Sequence, residues 1–147
     1  MPLFISHLLL QQITTGFYEE IAFRGLLLEG YFQQENRDWK RRLLYASFSF
    51  ILFGFAHIIN GNWITFIFTG SIGFSFSAIY LKSHNIFIPM ILHFIYDVFA
   101  NLSYYVKYNN SRVFHTLDSM MYTIIGVMFV ISVIALLTEK KSNDSFV

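Results

Sequence analysis

Three short segments place acidic, basic and imidazole side chains inside runs of apolar residues. They are Glu19-Glu20-Ile21-Ala22-Phe23-Arg24, Phe53-Gly54-Phe55-Ala56-His57 and His93-Phe94-Ile95-Tyr96-Asp97. Ionisable groups at membrane depth are costly, so each of these segments is a candidate for function. Together, their carboxylates, imidazoles and guanidinium could form one hydrolytic site.

The first segment combines two carboxylates with one cation. Glu20 and Arg24 are four residues apart and share a helix face, where we expect them to form an ion pair. Glu19 is rotated by about 100° from Glu20, at 3.6 residues per turn, and has no partner on its own helix. This arrangement predicts that Glu20 and Arg24 form a structural clamp and that Glu19 is the working general base.

The other two segments supply histidines and a third carboxylate. His93 and Asp97 are four residues apart and share a helix face. His57 lies near the end of its own helix, where Gly54 leaves room for another backbone. If His57, His93 and Glu19 meet, they can position a water, directly or through a metal, as a nucleophile for a carbonyl.

Taken one at a time, these features have structural explanations. A Glu–Arg pair often fastens two membrane helices, a single histidine often only packs, and His93–Asp97 could be a hydrogen-bonded pair. A small metal or proton transporter would use the same groups, but it needs a polar path to both sides of the membrane. Three polar clusters on three helices are hard to explain as packing. The charges of each cluster must be neutralised inside the membrane, and contact among the three clusters does this at the lowest cost in free energy.

The composition indicates a membrane protein. The chain of 147 residues is 55% hydrophobic and only 13% charged, against about 25% charged in soluble domains. Residues 43–81 and 119–138 contain no Asp, Glu, Lys or Arg, and about 20 apolar residues suffice for one membrane helix. A net charge of +1 gives no reason to expect a nucleic-acid partner. The absence of cysteine excludes disulfides, thiolate metal sites and a Cys nucleophile.

The predicted fold is all-α, a polytopic membrane bundle of four to five transmembrane helices in a single domain, 1–147. The helices are expected at residues 3–33 (bent near Gly16), 43–59, 63–81, 86–106 and 118–138. Polar connectors are expected at 34–42, at Asn60-Gly61-Asn62 and at 107–117. The motif-bearing core is about 10–106, and a C-terminal transmembrane helix follows at about 118–138. Small residues in the third helix, such as Gly73 and Ser77, predict close packing, and we assign them no chemistry.

The ordered set Glu-Glu-x-x-x-Arg, Phe-x-x-x-His and His-x-x-x-Asn/Asp resembles the CAAX protease and bacteriocin-processing family, also called CPBP or Abi. These are intramembrane proteases related to the eukaryotic prenyl-protein endopeptidase. The match covers residues 19–97. Any one motif is weak, but the three in this order and with these separations are fairly specific.

The resemblance implies a role for each matching residue. Glu19 and His57 would activate the attacking water, while His93 and Asp97 would stabilise the oxyanion or help to hold a metal. The supporting residues would be Glu20, Arg24 and Phe53. Family members have been described both as metalloproteases and as metal-independent glutamate proteases. Zinc held by Glu19, His57 and His93 is therefore one option, and a metal-free mechanism is the other.

Two departures from the family pattern matter. The third motif ends in Asp97 rather than the common Asn, whose amide can donate to an oxyanion directly. This favours a metal, or a role for Asp97 in orienting His93. The chain also begins only 18 residues before Glu19, whereas relatives usually carry extra helices there. It could be a minimal member, a truncated one, or one that completes its site as a homo-oligomer.

The expected activity is that of an intramembrane endopeptidase in a bacterial cell membrane. Its substrate would be a peptide or a membrane-tethered protein in the lipid bilayer, with peptide-pheromone or bacteriocin processing as the natural family role. The alternative is a non-catalytic bacteriocin self-immunity or membrane interaction protein that keeps the same fold.

Overall fold

The computed structural model describes residues 2–31, 39–58, 61–107 and 110–144, and the regular structure among them is entirely helical. The elements in chain order are α1 (Pro2–Glu20), a π-helical segment (Ile21–Tyr31) that continues α1, α2 (Trp39–Ile58), α3 (Trp63–Ser83), α4 (Phe87–Lys107) and α5 (Ser111–Asp144). The predicted all-α bundle is confirmed.

The first helix differs from its prediction. α1 continues without a break through Gly16, and the hydrogen-bonding pattern changes at Ile21; the bend near Gly16 stays a prediction. Gly16 serves helix packing, because a Cβ at this position would lie 3.4 Å from Cγ of His93 on α4. The predicted end of this helix at residue 33 lies outside the described residues.

Two helices begin earlier than predicted. α2 starts at Trp39, so Lys40, Arg41 and Arg42 belong to the helix rather than to a connector. The remaining predicted connector residues, 34–38, and Asn60 of the predicted turn lie outside the described part of the chain. α5 starts at Ser111, because the Asn110 side chain accepts from the backbone N–H of Val113 and caps the helix. Apolar patterning cannot detect a polar first turn of this kind.

The central element is α3, which is buried almost continuously along its second half. Asn62 begins it with a capping box, in which the Asn62 side chain accepts from two backbone N–H groups and Thr65 reaches back. α2 packs antiparallel on α3, since Gly54 faces Phe66 and Gly70 faces Phe50. The predicted close packing of small residues is confirmed by these contacts.

The other helices surround α3. α4 runs antiparallel to α1, with Gly16 facing His93 and Gly25 facing Ile86. α5 runs parallel to α3, because successive ring contacts join Phe68 to Tyr122 and Phe74 to Phe129. α3 and the 111–138 part of α5 are each long and apolar enough to cross a membrane. The total of four to five spans stays a prediction.

Gly73→Ala tests the tightest contact between α2 and α3. A Cβ at Gly73 would lie 2.6 Å from the Phe53 Cβ and 2.9 Å from the Ser49 backbone oxygen. We expect the variant to lose about 1–3 kcal/mol of unfolding free energy through overpacking. The matched control is Gly126→Ala on α5, where an added Cβ meets nothing within 4 Å. Thermal unfolding in detergent compares the two, and equal melting temperatures would contradict the close contact.

Candidate functional site

A buried ion pair forms the base of the site. The Arg24 Nη1 group donates to Glu20 Oε1 at 3.1 Å, and Arg24 Nε lies 3.1 Å from Glu20 Oε2. Both side chains are 0% exposed. The second contact lacks hydrogen-bond geometry, so Nε and Oε2 are held by charge alone. The predicted Glu20–Arg24 clamp is therefore present, at the start of a π-helical segment, a rare geometry often found at functional sites.

The clamp is fixed to α3 through one backbone oxygen, which the sequence did not reveal. The Gly73 carbonyl accepts from Arg24 Nη2 at 2.8 Å, from Ser77 Oγ at 2.8 Å and from Ser49 Oγ at 3.2 Å. Ser49 and Ser77 are 0% exposed. Two features of the sequence could have indicated this contact. They are Ser49 within the apolar run of α2, and Gly73 and Ser77, which are four residues apart on α3.

Three aromatic rings enclose the guanidinium. The Arg24 Cζ lies 5.8, 5.5 and 5.9 Å from the ring centroids of Phe23, Phe53 and Phe76. Distances below about 6 Å allow a cation–π attraction, which is strongest where water is excluded. Phe53, predicted as a supporting residue, is 2% exposed and lies against the clamp.

His93 connects the clamp to the open side of the site. Its Nδ1 lies 2.9 Å from Glu20 Oε1. Because an ionised carboxylate can only accept, the Nδ1–H of His93 donates in this bond. The Phe53 and Phe76 rings pack against the imidazole with centroids 5.6 Å away. These contacts fix the ring and leave Nε2 as the nitrogen directed at the remaining carboxylates.

Glu19 and Asp97 both approach Nε2 of His93. Glu19 Oε2 is 3.8 Å from this nitrogen and Asp97 Oδ2 is 3.7 Å from it. These distances exceed a hydrogen bond, and one water can join polar groups separated in this way. The Glu19 side chain is 25% exposed and that of Asp97 is 17% exposed. The Oε2 atom of Glu19, the Oδ2 atom of Asp97 and the Nε2 atom of His93 therefore lie around one partly solvent-accessible position.

His57 occupies the edge of the cluster. Its Nδ1 lies 2.8 Å from the Phe53 backbone oxygen, and its ring stacks on Phe53 at 5.1 Å. It forms no ion pair within 4 Å to a carboxylate in the described part of the chain, although it is within electrostatic range of Asp97. The donor bond from Nδ1–H to a carbonyl leaves Nε2 of His57 free. The structure thus brings Glu19, His93 and Asp97 together, and His57 lies beside them on the Phe53 ring, which also contacts His93.

The donor types of Glu19, His57 and His93 are those that zinc prefers. Among the residues that the structure describes, however, no three His, Asp or Glu side chains are close enough together to hold a metal ion. His93 Nδ1 is also committed to Glu20. A zinc ion at these residues therefore stays a prediction, and it requires His57 to approach Glu19 and His93.

An apolar cleft of about 230 Å³ lies beside the cluster, between α3, α4 and α5. Phe76 forms part of its wall and also packs against His93. Tyr96, the residue before Asp97, lies in the same wall. The cleft and the polar cluster are therefore neighbours that share one aromatic residue.

Comparison with known proteins gives a family match over the part of the chain that contains the cluster. The sequence model of the family described as type II CAAX prenyl endopeptidase Rce1-like matches residues 1–99. The uncharacterized protein YpbD of Bacillus subtilis (strain 168) is 32% identical over 97 residues, which are 65% of this chain and 45% of that protein. The chain thus spans less than half the length of this relative. No solved structure matches significantly. The matched residues include all three motifs, and the chain belongs to the Rce1-like family of type II CAAX prenyl endopeptidases.

Proposed function

We propose that the chain is an intramembrane endopeptidase that hydrolyses a peptide bond with an activated water. The observation that carries this proposal is the convergence of Glu19 and Asp97 on Nε2 of His93, at 3.8 and 3.7 Å. Membership of a protease family supports it. So does the membrane setting of that family, which the two apolar helices fit.

In the proposed reaction, Glu19 accepts a proton from a water held near His93, and the water oxygen attacks the peptide carbonyl carbon. The carbonyl oxygen becomes an oxyanion, which a protonated His93 would stabilise by donating from Nε2. The C–N bond then breaks as Glu19 returns the proton to the leaving nitrogen. The products are a carboxylic acid and an amine, so atoms and charges balance.

The buried residues orient the reacting groups and take no part in making or breaking bonds. Glu20 is neutralised by Arg24 and accepts from His93 Nδ1, so the imidazole orientation is set before substrate arrives. Phe53 and Phe76 exclude water from the other side of the ring. We propose that His57, whose Nδ1 is bonded to the Phe53 carbonyl, uses its Nε2 to contact the substrate or the oxyanion.

The apolar cleft supports a membrane-embedded substrate. Its apolar lining and volume of about 230 Å³ suit one or two apolar side chains of a peptide. Because Phe76 borders both the cleft and His93, a segment seated there would bring its backbone toward the cluster. We infer a peptide or membrane-tethered protein as the substrate. Because a relative comes from Bacillus subtilis and two helices are long and apolar enough to span a membrane, we also infer a bacterial cell membrane as the location.

The direct test compares peptide termini in membranes of the native host. Three strains carry the wild-type chain, Glu19→Gln at a matched expression level, or a deletion. New termini that appear only with the wild type would establish the protease and name its substrate. Identical terminus profiles in all three strains would overturn it and favour the non-catalytic immunity or membrane interaction role.

Asp97→Asn distinguishes two roles for Asp97, a hydrogen-bond partner of the oxyanion and a required negative charge. An Asn amide can donate to an oxyanion, whereas an ionised Asp cannot. We expect Asp97→Asn to keep cleavage within about tenfold of the wild type, and Asp97→Leu to lose about 10²-fold. The readout is the cleavage rate of the substrate that the terminus comparison identifies. If Asn proves as damaging as Leu, the negative charge is required, and metal addition and chelation should then be tested.

A further inference from the structure

A second cleft lies far from the polar cluster, between the end of α3 and the later part of α5. Its volume is about 350 Å³. Ile79, Ile131 and Ala135 line it with apolar groups, and Lys82, Ser83 and Ser132 add polar ones. Lys82 is nine residues beyond Gly73, or about 13 Å along α3 at 1.5 Å per residue. The cleft therefore belongs to a separate part of the bundle.

The Ser132 hydroxyl has an unmet hydrogen-bonding capacity. Ser132 is only 5% exposed, and its side chain lines the cleft. Three buried serines of α3, Ser71, Ser75 and Ser77, each bond the carbonyl four residues earlier. Among the described residues, Ser132 has no hydrogen-bond partner of any kind. The hydroxyl lines the cleft, so it can donate to a ligand that carries an acceptor oxygen.

The cleft opens at the end of the bundle where lysines and arginines of two helices gather. α2 and α3 are antiparallel, so Lys40, Arg41 and Arg42 at the start of α2 lie at the same end as Lys82 near the end of α3. The charged helix termini are the part of a membrane protein that meets lipid headgroups. Negative headgroups are attracted to such a basic end.

We propose that this cleft binds one anionic phospholipid. The phosphate lies at Lys82, and an ester carbonyl of the lipid accepts from the Ser132 hydroxyl, about one helical turn deeper. An acyl chain follows the apolar wall formed by Ile79, Ile131 and Ala135. Lys82 and Ser83 stand at the charged end, and Ile79 and Ile131 lie further inward, which matches a lipid better than a soluble phosphate.

The test measures lipid retention by native mass spectrometry of the full chain. The protein is reconstituted with equal amounts of phosphatidylglycerol and phosphatidylcholine of the same acyl chains, then transferred to detergent. We expect the wild type to retain one phosphatidylglycerol in preference. Lys82→Gln should reduce this preference by about fivefold, the effect expected for one lysine at an anionic surface. Ser132→Ala should reduce retention of the same lipid.

The matched control is Lys107→Gln, which removes a lysine at the end of α4, the opposite end of the bundle. It should leave the preference unchanged. Equal retention of the two lipids by the wild type, or equal effects of Lys82→Gln and Lys107→Gln, would overturn the proposal. Binding of glycerol 3-phosphate alone, at the same strength as the lipid, would overturn the assignment to a lipid. Lys82 is exposed, and the melting temperature of Lys82→Gln is measured beside that of the wild type, so that a loss of folding is distinguished from a loss of lipid binding.

Discussion

Replacing Arg24 with leucine is expected to destabilise the bundle by about 3–5 kcal/mol, the range for breaking a buried ion pair by removing one partner. Arg24 and Glu20 are both fully buried, so the variant leaves a carboxylate without its cation. It also removes the donor to the Gly73 carbonyl and the cation between three rings. Denaturant unfolding in detergent measures the loss.

Two comparisons make this result specific to the ion pair. Arg112→Leu removes an exposed arginine on α5, and surface changes of this kind stay within about 0.5 kcal/mol. The double variant Glu20→Leu/Arg24→Leu removes both charges, so we expect it to recover part of the lost stability. It should not support hydrolysis, because it removes Glu20, the hydrogen-bond partner of His93 Nδ1. An Arg24→Leu protein as stable as Arg112→Leu would contradict the clamp.

Helical spacing made parts of the site predictable. The Glu20–Arg24 pair follows from a separation of four residues, and the structure has it at 3.1 Å. The Asp97 side chain likewise shares a face with His93 and lies 3.7 Å from it. These contacts lie within one helix, where geometry is fixed by the backbone.

Contacts between helices were harder to predict. Spacing along one helix left Glu19 without a partner, and the structure supplies one in His93 on α4. The role of the Gly73 carbonyl was not foreseen, because a backbone oxygen has no side-chain signature. His57 and His93 both contact the Phe53 ring, whose position is set by packing of α2 on α3. Sequence order along the chain cannot specify such packing.

Glu19→Gln is expected to remove hydrolysis while leaving the fold intact. The proposed base would be replaced by an amide that cannot accept the proton, which costs about 10²–10⁴-fold in rate. The Glu19 side chain is 25% exposed and lies 3.8 Å from His93, beyond a hydrogen bond. Its loss should therefore leave the melting temperature unchanged. The cleavage rate and the melting temperature are measured on the same purified sample.

The neighbouring Glu20→Gln variant provides the contrast, because it makes the same chemical change at a position one residue away. Glu20 is fully buried and accepts from both Arg24 and His93, so neutralising it leaves Arg24 as an uncompensated buried cation. We expect Glu20→Gln to lower both the melting temperature and the rate. If Glu19→Gln instead lowers the melting temperature as much as Glu20→Gln does, then Glu19 is a structural partner of His93. If the Glu19→Gln variant keeps the wild-type cleavage rate, another group is the base. His57, whose Nδ1 is bonded to the Phe53 carbonyl and whose Nε2 is available, is then the next residue to substitute.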